Sequence, residues 1–71
     1  MPRSLRDVRQ EEAVRAFVRL GGTERNGKGS HRVVSINGNN LSVPHGILKI
    51  GLLTRLISLA GVSRKDFTDQ L

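Results

Sequence analysis

Two imidazoles, His31 and His45, are the side chains here most suited to moving protons, and each sits in a short run with glycine. His31 belongs to Gly27-Lys28-Gly29-Ser30-His31-Arg32 and His45 to Val43-Pro44-His45-Gly46. An imidazole can take a proton from a ribose 2′-hydroxyl, or deliver one to a departing 5′-oxygen, without a metal ion. Lys28 and Arg32 flank His31 and would stabilise the extra negative charge on a transition-state phosphate. RNA is the substrate this chemistry selects, because its 2′-hydroxyl is an internal nucleophile that DNA lacks. The plainer reading of His31 is an exposed strand residue. For His45, which follows a proline at a strand end, it is a residue that turns the chain or bonds a loop.

Other chemistries fit poorly. Ser30 adjoins His31, but neighbouring strand residues point to opposite faces, so the two cannot act as nucleophile and base. Gly27 and Gly29 beside Lys28 resemble a phosphate cradle, but the spacing is not that of a P-loop. With no cysteine there is no thiolate zinc site, no thiol nucleophile and no disulfide framework, which points to a reducing cytoplasm. Two histidines without carboxylate or thiolate partners make a poor metal site, and no metal or small-molecule cofactor is expected. From Arg25 to Lys65 there are seven cations and not one carboxylate, which removes the acid pairs of glycosidases, aspartic proteases and two-metal nucleases.

Twelve Lys and Arg against six Asp and Glu leave a net charge of +6 on 71 residues. Nine of the twelve cations are arginine, which favours bidentate contact with phosphate or carboxylate over a lysine coat. The charge implies a polyanionic partner, either nucleic acid or an acidic protein, with a solvated basic surface as the alternative. No apolar stretch approaches the roughly 20 residues that span a bilayer, and the N-terminus lacks the apolar core of a signal peptide, so no membrane partner is expected.

The elements that must hold the histidines follow from periodicity. Ser4, with Asp7 three residues on, opens a helix whose apolar stripe runs from Leu5 to Leu20, where Gly21-Gly22 stops it. Arg9, Arg15 and Arg19 form its solvated face, with Glu11 and Glu12 at pairing distance along the helix. Short β-prone runs follow at Thr23 to Arg25, Ser30 to Ile36 and Leu41 to Val43, with Asn37-Gly38-Asn39-Asn40 as a hairpin turn. Alternation puts Arg32, Val34 and Ile36 on one face and His31, Val33 and Ser35 on the other; if Val34 and Ile36 face the helices, His31 faces water. Ile47 to Ala60 has the spacing of a second core helix closed by Gly61. Ser63 then caps a last helical turn with Asp66 three residues on, and Phe67 folds back as an anchor. The expectation is one small α+β domain, with a three-stranded antiparallel sheet, both helices on one face and a short C-terminal turn. The core is thin and aliphatic, with Phe17 and Phe67 its only aromatics.

This order and its motifs resemble the HicA-like toxins of bacterial toxin–antitoxin pairs, small mRNA interferases with a fold like the double-stranded-RNA-binding domain. The likeness rests on Leu20-Gly21-Gly22, Lys28-Gly29-Ser30-His31, Val43-Pro44-His45-Gly46, Leu48-Lys49-Ile50-Gly51-Leu52-Leu53 and Ala60-Gly61-Val62-Ser63; it covers most of the chain and implies a single domain over residues 1–71. The chain departs at Thr23, where such proteins commonly carry an aromatic. The resemblance implies a cytoplasmic endoribonuclease that cleaves mRNA, with a catalytic histidine at His31, neutralised by a HicB-type antitoxin. His45 is then a possible auxiliary group, and Lys28, Ser30, Arg32, Lys49 and Arg55 are candidates for RNA contact. Backbone amides at a helix start near Lys49 and Gly51 would add to phosphate attraction. Two other readings of the same fold stand beside it: an RNA-binding module without catalysis, and a basic protein that meets an acidic partner.

Overall fold

In a computed structural model that describes residues 5–27 and 29–71, the chain runs β1 (Val8–Arg9), α1 (Gln10–Arg19), β2 (Thr23–Asn26), β3 (Arg32–Ile36), β4 (Asn39–Val43), β5 (Ile47–Leu48), α2 (Ile50–Ala60) and α3 (Arg64–Asp69). β2, β3 and β4 form an antiparallel sheet in that order, and β1 pairs antiparallel with β5 in a separate two-residue ribbon. The chain is thus a small α+β protein with helices packed against a three-stranded sheet. No helix among the described residues is long and apolar enough to cross a membrane.

Register explains which strand residues are buried. Val34 stands opposite Leu41 and Arg32 opposite Val43, so Val34, Ile36, Leu41 and Val43 project to one face, and all four are buried against α1 and α2. The other face carries Thr23, Arg25, Val33, Ser35, Asn40 and Ser42, none of them buried. His31, just before β3, is exposed, as alternation predicts. From α1 come Ala13, Val14, Ala16 and Phe17, from α2 Leu53, Leu56, Ile57 and Ala60, and α3 closes the core with Phe67, its ring centroid 4.9 Å from that of Phe17. Ser63 Oγ accepts from the Asp66 amide at 3.0 Å, the expected cap of α3.

Both long helices begin later than periodicity predicts. The first starts at Gln10; Ser4 lies outside the described residues, and Val8 sits in β1 opposite Leu48, where both side chains are buried. The second starts at Ile50, because Ile47 and Leu48 are the partners of that ribbon. In each case an apolar residue in phase with the helix is buried by strand pairing instead. Glu12 meets Arg6 at 3.4 Å rather than an arginine of its own helix. The middle strand starts at Arg32 and not Ser30, since Gly29 and Ser30 form a turn with Gly29 at φ +62°.

The hairpin between β3 and β4 is tighter than four residues. Asn37 (φ 50°) and Gly38 (φ 79°) alone make the turn, and two successive positive φ angles are what a two-residue hairpin with the twist of its strands requires. Its asparagines also reach the end of α2. Asn37 Nδ2 donates to Ala60 O at 2.8 Å and Asn39 Nδ2 to Leu59 O at 2.7 Å, which satisfies carbonyls that have no partner within the helix.

Candidate nucleic-acid cleft

At the opposite end of the sheet from that hairpin, a cleft of about 330 Å³ is lined by Gln10, Gly27, Gly29, Ser30, His31, Arg32 and His45. Both histidines therefore open onto one cavity, although 14 positions separate them in sequence. Both are exposed, and among the described residues neither imidazole has a hydrogen-bond partner. Their nitrogens are available to a ligand.

The residue that joins the two histidine-bearing segments is Gln10, which sequence reasoning missed. It is the first residue of α1 and only 3% exposed. Its Nε2 donates to Ser30 O at 2.8 Å and to Val43 O at 3.0 Å, while its backbone amide donates to Gly46 O at 2.9 Å. Carbonyl oxygens only accept, so these two bonds fix which end of the amide is nitrogen. The bonded carbonyls lie one residue before His31 and two before His45. A signal for Gln10 was present: it stands at i with Ala13, Val14 and Phe17 at i+3, i+4 and i+7, so a polar side chain occupies the buried stripe and must be bonded there.

Gly27 fixes the floor. A Cβ on it would lie 2.5 Å from the His31 carbonyl oxygen and 3.0 Å from its carbon, so the chain carrying His31 packs against bare backbone. Ser30 contributes its carbonyl to the Gln10 clamp.

Arg32 lines the cleft beside His31 and also faces Glu24 across the sheet, with its Nη1 3.6 Å from Glu24 Oε2. Both side chains are about two-fifths exposed, so this pair contributes between zero and about 1 kcal/mol. The setting of His31 is thus not free of carboxylates, as the acid-free stretch from Arg25 to Lys65 suggested: the acid comes from β2, one residue before that stretch begins. Pairing across strands, not sequence proximity, brings it there.

The other predicted contacts lie elsewhere. Lys49 is the residue before α2, with Nζ 3.4 Å from Asp7 Oδ2, and the Ile50 amide donates to Asp7 Oδ1 at 3.1 Å. The first amide of α2, expected to be open to phosphate, is bonded to a carboxylate of this same chain. Arg55 is exposed on α2 and, like Lys49, does not line the cleft. Lys28 lies outside the described residues. Fold and cleft together define a small basic α+β domain with a polar pocket at one end of its sheet. Comparison with models of protein families, with characterised proteins and with solved structures finds no match for the chain.

Proposed function

We propose that the protein is an endoribonuclease of the HicA-like kind, and the observation that carries this reading is the shared cleft of His31, His45 and Arg32. The 2′-oxygen attacks the adjacent phosphorus as an imidazole takes its proton; the bond from phosphorus to the 5′-oxygen breaks, and a protonated imidazole returns a proton to that oxygen. The products are a 2′,3′-cyclic phosphate and a free 5′-hydroxyl, and no atom from outside enters. His31 is the principal acid/base group, and a second imidazole allows one to give a proton while the other takes one. Arg32 offsets charge on the phosphorane, and Lys28, Lys49 and Arg55 meet flanking phosphates. In this reading the substrate is mRNA, the compartment the cytoplasm, and a HicB-type acidic antitoxin covers the cleft. His31→Ala should reduce cleavage of a labelled RNA by about 100-fold or more while folding and affinity for a 2′-O-methyl RNA persist. Undiminished cleavage by that variant in EDTA would overturn the assignment.

A further inference from the structure

We propose that Gln10 is a positioning residue which sets the two imidazoles at one working separation, an inference that rests on the ribonuclease reading. Three bonds from this one residue, two from its side chain and one from its backbone, reach the segments that carry His31 and His45. The segments have little else in common. His31 follows the turn at Gly29 and Ser30, whereas His45 lies in the bend between β4 and β5. β3 and β4 pair only as far as Arg32 opposite Val43, so beyond that point the strand ladder no longer fixes one segment against the other. Gln10 takes over at that point. It donates to the carbonyl of Val43, the last residue of β4, and to that of Ser30, two residues before β3 begins, bridging the places where the two chains part.

Gln10 is itself held rigidly, because it starts α1 and its neighbours on the same helix face, Ala13, Val14 and Phe17, are core residues. The geometry of the imidazole pair therefore draws on the hydrophobic core through the side-chain and backbone amides of Gln10. Such a group contacts no reacting atom. Its loss should be felt in turnover and not in RNA affinity, since phosphate contacts do not run through it.

Gln10→Met keeps the length and apolar bulk of the side chain and removes both donors. The expected result is a folded protein whose kcat falls by about 100-fold, the scale of a 1 Å misplacement, with KM changed less than about threefold. The imidazole NMR signals of both histidines should move. Because Gln10 acts through the pair, the double variant with His45→Ala should be no slower than the slower single variant. Unmoved imidazole signals, or independent and multiplicative losses in the double variant, would overturn the proposal. Should Gln10→Met fail to fold, the wild-type chain supplies the answer: the Gln10 side-chain amide protons should resist solvent exchange, and both histidine signals should shift together on adding a 2′-O-methyl oligoribonucleotide. Rapid exchange of those protons, or a shift of one imidazole only, would overturn it. If the wild type cleaves no RNA, the ribonuclease reading fails on its own, and the NMR signals still decide whether Gln10 couples the two segments.

Discussion

The two ends of the three-stranded sheet use side-chain amides in opposite ways. At the hairpin end, Asn37 and Asn39 donate to the last carbonyls of α2, and Gly61 leaves that helix in the left-handed conformation, so this end is closed on itself. At the cleft end, Gln10 ties the turn before β3 to the end of β4 and leaves two imidazoles without a partner among the described residues. The first arrangement satisfies helix carbonyls and stabilises the fold. The second satisfies a turn carbonyl and the last carbonyl of β4 and keeps the imidazoles available, which contributes to stability only through the backbone. Polar residues at the hairpin end should therefore affect melting and not turnover, and residues at the cleft end should affect both.

The largest departure should come from Gly27→Ala. The added methyl would overlap the His31 carbonyl, and relieving this moves the backbone at position 27 and the backbone that carries the imidazole apart. Overpacking of this kind costs about 1–3 kcal/mol, and the displaced histidine should lower cleavage by about 100-fold. Thermal melts and a cleavage assay measure the two effects. Loss of stability with unchanged turnover would show that the backbone of His31 is not a fixed part of the site.

At the other end, Asn37→Gly retains the positive φ and removes the bond to Ala60 O. It should cost about 1 kcal/mol by urea unfolding and leave kcat where it was. A change in kcat would mean that the two ends are coupled and would remove the distinction between them.

These two glycine-linked sites also show how much could be read before the structure. The Asn-Gly turn announces itself, because positive φ at consecutive residues is a local demand met by a narrow choice of residues. The strand faces followed from alternation, and the α3 cap from Ser63 and Asp66. What local pattern could not supply were partners distant in sequence. Val8 and Leu48 are in helical phase with their neighbours yet pair as strands, so both helix starts were placed too early. Gln10 was hidden for the same reason: its bonds are to residues 20 and 33 positions away. For the candidate site, Ser30, His31, Arg32 and His45 were legible from residue type and do share the cleft, while the residue that joins them was not.

A smaller effect tests the electrostatics of the cleft. Glu24→Gln removes the carboxylate facing Arg32 without changing its shape, so a phosphate would no longer compete with it for the guanidinium. Affinity for a 2′-O-methyl RNA should rise about two- to fivefold at low salt, with the gain disappearing at high salt and stability shifting by less than about 0.5 kcal/mol. Unchanged affinity would mean that the Glu24 carboxylate does not compete with phosphate for the Arg32 guanidinium.

The smallest effect concerns the start of α1, which carries Gln10. The Arg9 amide donates to Glu12 Oε1 at 3.3 Å, and this bond holds the Glu12 carboxyl below its ordinary value of 4.5, against partial burial and with help from the Arg6 guanidinium. A carboxyl held low in the folded chain stabilises it above the ordinary value, and that contribution is lost as pH falls through the lowered one. Glu12→Gln retains an acceptor but cannot titrate. The wild type should melt slightly above the variant at pH 7, and below pH 4.5 the two melting temperatures should converge as the wild type loses this contribution. Because Gln10 is anchored at this same helix turn, its side-chain amide protons should exchange faster in the wild type over that acid range and change less in Glu12→Gln. Parallel acid curves for the two proteins would mean that the clamp does not depend on the cap, and that the core beneath Ala13, Val14 and Phe17 is sufficient to hold it.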